Sequence, residues 1–271
     1  MEHSIEWWNS CGRDLWDGLR LKTYPLAVRF YEKTEDAPDG LRRPKRDLGK
    51  PMAFCQAVSR ARMSGQKLLM TKEDHWCWNP LLAYGMVEFD EGGKAFDILK
   101  RVMGMPVEKA AAFLKTFPRL EQGKYQAVAI APLQDSPFVP DVVLIYSDTR
   151  QLDRMLMVTK SVTGGRIASE FDPIDSCNYE LVVPMQTGEY RITVPDPGEM
   201  QRAHAGTDEM IFSIPACRMQ EFIDGFRAMT ARQKLYETTP DLLYEFEHPA
   251  FYDALFELWG LDTSKEWRKE T

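Results

Sequence analysis

Two apolar runs decide how this chain reads: Tyr125-Gln-Ala-Val-Ala-Ile-Ala-Pro-Leu133 and, after a loop holding Pro137 and Pro140, Asp141-Val-Val-Leu-Ile-Tyr146. Each is short, built from small or β-branched side chains and bounded by proline, which is the pattern of a buried strand. A third run, Pro25-Leu-Ala-Val-Arg-Phe-Tyr31, is apolar except for Arg29. A buried guanidinium keeps its charge, so Arg29 calls for a partner or an anionic ligand.

Helical spacing appears around these strands. Trp8, Cys11, Leu15, Trp16 and Leu19 form one apolar stripe in residues 4–20, which puts Cys11 in the core. Met52 to Met63 reads as a helix closed by Ser64-Gly65, and Thr149 to Val162 as one closed by Thr163-Gly164-Gly165. Gly65 and Gly164 are therefore expected to be helix C-caps at positive φ. Lys94–Met103 and Val107–Phe117 read as two helices broken at Gly104-Met105-Pro106. Further strands are expected at Lys67–Thr71, Tyr179–Met185, Tyr190–Val194 and Glu209–Ile214, and further helices at 216–229, 240–246 and 249–259. Strands and helices alternate without strict βαβ order, and several strands are neighbours in sequence. The fold class is α+β, or mixed α/β: a mixed sheet with flanking helices in a single globular domain over 1–260, followed by a polar tail at 261–271.

Composition narrows function by exclusion. The 271 residues carry 34 Lys and Arg against 41 Asp and Glu, a net charge of −7, which repels a phosphate backbone. The basic stretch Arg42-Arg43-Pro44-Lys45-Arg46 lies among prolines and acids and reads as a solvated loop, so no nucleic-acid partner is expected. No apolar run reaches the ~18 residues of a membrane span, and no basic stretch followed by an apolar block opens the chain, so the expected location is cytoplasmic. Five cysteines, an odd number with no Cys-x-x-Cys, argue against a disulfide scaffold and the compact zinc or ferredoxin spacings. Neither glycine-rich nucleotide motif occurs, nor Gly-x-Ser-x-Gly, nor His-Glu-x-x-His.

The chain also contains a quasi-repeat. Leu26-Ala-Val-Arg-Phe30, a helix, Ser64-Gly65-Gln66-Lys67, a strand and Cys77 parallel Val142-Val-Leu-Ile-Tyr146, a helix, Thr163-Gly164-Gly165-Arg166, a strand and Cys177. Glycine and cysteine are 12 residues apart in the first unit and 13 in the second. Chance recurrence of helix–glycine–strand units is one reading. Duplication is the other: two related halves, about 20–120 and 121–230, packed about a pseudo-twofold axis, with Cys77 and Cys177 matched across one cleft.

Taken in order, Tyr24-Pro25-Leu-Ala-Val-Arg-Phe30, Phe54-Cys55-Gln-Ala-Val58 with Ala61 and Gly65, Cys77, the runs at 125–133 and 140–146, Cys177, Asp208-Glu209-Met210 and Ile214-Pro215 resemble the family called domain of unknown function 169. The likeness spans about residues 20–230. It implies a soluble protein of a kind common in anaerobic bacteria and archaea, and it carries no established reaction. Many members have a further cysteine before the last strand; the matching stretch here, Gly198 to His204, has none.

Three functional readings stand. The first is a small-molecule or cofactor-binding protein with a cleft between its halves. Arg29, Lys67 and Arg166 would hold an anionic group, Trp76 and Trp78 would be walls, and Cys55, Cys77 and Cys177 polar contacts. The second is a metal or iron–sulfur protein using Cys55, Cys77 and Cys177, with His75 or Cys11 as a fourth ligand. The third is an interaction subunit, homo-oligomeric or bound to another protein, that docks through the C-terminal helix bearing Phe251, Leu255, Phe256 and Trp259.

Overall fold

A computed structural model describes residues 3–232 and 251–260. The chain divides into two compact units, 1–231 and 232–271. In the first, six strands form one sheet: β1 (Leu26–Tyr31), β2 (Leu68–Thr71), β3 (Ala127–Pro132), β4 (Val142–Ser147), β5 (Arg191–Thr193) and β6 (Met210–Pro215), in the order β2-β3-β1-β4-β6-β5. Every neighbouring pair is antiparallel. The fold is α+β, as read, although the sheet is antiparallel throughout rather than mixed. The two deciding runs became β3 and β4, and neither pairs with the other: β1 lies between them.

Continuous apolar strands imply cover on both faces, and helices supply it. Leu26, Val28 and Phe30 of β1, Val128 and Ile130 of β3, and Val142, Leu144 and Tyr146 of β4 face one core. Over it lie α3 (Phe54–Ser64), α4 (Trp78–Ala83), α5 (Lys94–Val102), α6 (Val107–Thr116) and α8 (Ser176–Thr187). The alternate residues Ala27, Ala129, Ala131, Val143 and Ile145 face a second core beneath α1 (Ile5–Leu19), α7 (Thr149–Thr163) and α10 (Met219–Arg232). Cys11 is fully buried there. Two short helices, α2 (Pro44–Asp47) and α9 (Pro197–Arg202), complete this unit. Helix α1 crosses the turn after β3 so closely that a Cβ on Gly12 would stand 2.4 Å from the Gln134 backbone nitrogen. In the second unit α11 (Phe251–Leu258) is described, with Tyr252 packed against Phe251 and Phe256. The helix expected at 240–246 and the tail at 261–271 lie outside the described residues.

The strand order is unchanged in pattern when β1 is exchanged with β4, β2 with β5 and β3 with β6. Register follows the same exchange: Leu26 pairs with Pro132, and Val142 with Pro215. The next residue donates back equivalently, Leu133 N to Pro25 O and Ala216 N to Asp141 O, each at 2.8 Å. Edge strand β2 follows α3 and its positive-φ Gly65; edge strand β5 follows α8 and its positive-φ Gly188.

This correspondence corrects the one read from sequence. Gly164 does cap α7 at φ 66°, as Gly65 caps α3 at 69°. No strand follows Gly165, however, and the residues expected as a strand at Tyr179–Met185 belong to α8. Leu181-Val-Val183 is too short an apolar run to separate a strand from a helix buried on several sides. In the sheet's own correspondence the counterpart of Cys177 is Cys55, since each is the second residue of the helix leading to an edge strand. Cys77 and Asp196 are likewise matched, as N-caps of α4 and α9.

Candidate functional site

The N-terminal turns of α3, α4, α8 and α9 meet around one cavity of about 290 Å³. Ala53, Phe54 and Cys55 come from the start of α3, and Cys77, Trp78, Asn79 and Pro80 from the start of α4. Ser176 and Cys177 open α8, and Asp196, Pro197 and Gly198 open α9; Trp76 and Arg202 stand at the rim. Contacts across the cavity tie the two sets together. Tyr84 Oη donates to Cys177 O at 3.5 Å and Asn79 Nδ2 to Ile174 O at 3.4 Å. The Cys177 thiol lies 3.7 Å from Asn79 Oδ1.

A helix N-terminus favours thiolate, whereas burial favours the neutral thiol. Burial wins here. It raises Cys55, Cys77 and Cys177 above the ordinary thiol value; the charges of Glu199 and Asp196 add to it at Cys55, and that of Glu180 at Cys177. The cavity is thus walled by protonated sulfur, two indoles and proline. Trp78 is tilted on Phe117, with ring centroids 5.8 Å apart.

Beneath the cavity lies a buried acid network. Tyr146 of β4 donates to Glu199 Oε1 at 2.7 Å and stands 3.5 Å from Glu180 Oε2. Glu180 is 0% and Glu199 1% exposed, and Glu180 Oε1 and Glu199 Oε2 have no hydrogen-bond partner among the described residues. Burial pushes Glu199 up to about 7 despite the Tyr146 hydrogen bond, and pushes Glu180 well above the usual range, with the Glu199 charge adding. Burial also raises Asp175, just before α8, to about 8, with Asp172 adding. The nearby cation is already committed: Arg62 binds Glu209 through both nitrogens at 2.8 and 3.0 Å, donates to His204 O at 3.0 Å, and lies 4.2 Å over the Tyr146 ring.

Of the residues singled out from sequence, Cys55, Trp76, Cys77, Trp78 and Cys177 come together here. The three cations lie elsewhere. Arg29 is on the opposite face of the sheet, where Nη1 donates to Val139 O at 2.9 Å and the guanidinium lies 5.4 Å over the Tyr31 ring. The Val139 carbonyl and the Tyr31 ring are thus its partners, and the Asp141 carboxyl lies near enough for the Arg29 charge to lower it against burial. Lys67 pairs with Asp135 at 2.7 Å, and Arg166 is exposed after α7. The metal reading is not supported: among the described residues no group of three or more His, Cys, Asp or Glu could hold a metal ion. His75 is buried against Tyr84, both ring nitrogens lack a partner among the described residues, and burial lowers it to about 4.

Sequence reading missed Arg62, Tyr146, Glu180 and Glu199. Arg62 could have been found, since Phe54, Val58 and Arg62 recur every four residues on one helix face. Glu180, beside an apolar run, offered a weaker signal of the same kind.

The DUF169 family model, described as uncharacterised ArCR, matches residues 14–225. The chain is also similar to the uncharacterized protein MJ0308 of Methanocaldococcus jannaschii, at 22% identity over 202 residues, covering 73% of this chain and 84% of that protein. No solved structure matches. Among the described residues no helix is long and apolar enough to cross a membrane.

Proposed function

The chain belongs to the DUF169 family, and we propose that it is a small-molecule-binding protein whose ligand lies between its two halves, 20–120 and 121–230. One observation carries the reading: Cys55, Trp76, Cys77, Trp78 and Cys177, far apart in sequence, wall a single cavity that also takes residues from the starts of α8 and α9. Concave sites of a few hundred Å³ with mostly apolar walls and a few polar groups are the usual form of ligand pockets. The exchange symmetry of the sheet supports reading the halves as related by duplication, with the ligand near the axis between them. Protonated thiols beside indole faces suit contact with a flat, polarisable body better than nucleophilic attack.

The test is titration with a neutral flat dye, N-phenyl-1-naphthylamine, followed by its fluorescence. Wild-type protein should bind one equivalent saturably. Cys55→Phe and Cys77→Phe, which plug the cavity, should abolish that binding while keeping the wild-type circular dichroism. Cys217→Phe, outside the cavity, should leave it unchanged. Absence of saturable binding, or equal binding by the plugged variants, would refute the reading.

A further inference from the structure

A second cavity of about 530 Å³ adjoins the first, and Trp76 and Arg202 line both. Its charged lining is Lys50, Arg60 and Arg202, with His204 beside them, and no Asp or Glu takes part. In a chain with seven more acids than bases, counting only Lys and Arg as bases, such a collection is unusual. None of the three cations makes an ion pair among the described residues. Arg202 instead lies 5.6 Å over the Trp76 ring, and Trp76 is held from below by its own donation to Gln56 Oε1 at 3.2 Å. The acids of the region lie on the other side: Asp196 in the wall of the thiol cavity, Glu180 and Glu199 beneath it.

Resting on the small-molecule reading above, we infer that the ligand is an organic anion. Its flat apolar body lies among the thiols and indoles, and its carboxylate, sulfonate or phosphate group projects past Trp76 into the cavity of Lys50, Arg60 and Arg202. The charge layout orients it. No Asp or Glu lines the cavity of Lys50, Arg60 and Arg202, and guanidinium forks there offer paired donors to oxyanions. Trp76, 47% exposed, is the wall common to both parts.

The test pairs two dyes that share a flat body and differ in charge: neutral N-phenyl-1-naphthylamine and anionic 8-anilinonaphthalene-1-sulfonate. The sulfonate should displace the neutral dye competitively from wild-type protein and should weaken as salt rises. In the Lys50→Gln, Arg60→Gln double variant, which leaves the wall of the thiol cavity intact, the sulfonate should lose about tenfold or more in affinity, as expected when charged hydrogen bonds are removed, while the neutral dye changes less than twofold. Lys67→Gln, a cation outside both cavities, should change neither. Unchanged sulfonate affinity in the double variant, with the neutral dye still bound, would overturn this inference and leave the pocket reading standing. Failure of the neutral dye to bind wild-type protein would overturn both.

Discussion

Replacing Glu199 by glutamine should remove a pH-dependent loss of stability. In the folded chain burial raises this carboxyl from its ordinary 4.5 to about 7. Between those values the folded state holds a proton that the unfolded chain has released, so stability falls as pH rises and levels off above the folded value. A shift of that size corresponds to roughly 3 kcal/mol, at about 1.4 kcal/mol per pKa unit. Glutamine has no proton to lose, and its carbonyl can still accept from Tyr146. The difference in unfolding free energy, wild type minus Glu199→Gln, should therefore fall by roughly 3 kcal/mol between about pH 4.5 and pH 8. Urea denaturation across that range measures it without adding salt. Asp74 acts outside this window. Burial would raise it, but donation from Thr71, Lys45 and Arg43 outweighs burial and lowers it, so its contribution is lost only as pH falls below the ordinary carboxylate range. A difference that stays flat with pH, or that grows as pH rises, would refute the account of Glu199 as a carboxyl kept protonated by burial.

Two further substitutions test the frame around the site. Arg62→Met should cost about 3–5 kcal/mol in urea unfolding, because it removes a buried guanidinium and leaves the largely covered Glu209 without its cation; Arg62→Lys should recover part of that cost. Gly12→Ala should cost about 1–3 kcal/mol, the usual range for overpacking, since its Cβ would meet backbone rather than a side chain that can move; thermal melting would register it, and an unchanged midpoint would show that α1 can lift from the turn.

Much of the sheet was legible because β1, β3 and β4 are covered on both faces, and cover writes itself into sequence as unbroken apolar runs. That same signal does not tell an antiparallel sheet from a parallel one, since it reports burial and not direction. Helix α8 was misread because it touches the core on one side and the acid network on another, so no polar face marks its period. The thiols and indoles singled out from sequence do wall one cavity. The predicted cations lie away from the cavity: Arg29 stood out as a charge in an apolar strand, and Lys67 and Arg166 by their place in the quasi-repeat, but Arg29 faces the opposite side of the sheet, Lys67 pairs with Asp135 and Arg166 is exposed after α7. Lys50, Arg60 and Arg202 come from a loop and two helices whose meeting depends on tertiary packing, which no local pattern encodes.

The placement of β1 at the centre of the sheet also sets an order of events during synthesis. Its partners are β3 and β4, about a hundred residues further along, and among the described residues β3 is the one strand that pairs with β2. The residues ahead of β3 therefore contain two strands, β1 and β2, that are not neighbours in the finished sheet. They must wait with apolar surface uncovered until residues 127–132 arrive to bridge them. Closing such distant pairings is slow and leaves the waiting chain open to aggregation. Chain arrested before Pro132 should be bound by chaperones or lost, whereas release past Ser147 allows β2, β3, β1 and β4 to assemble as a block.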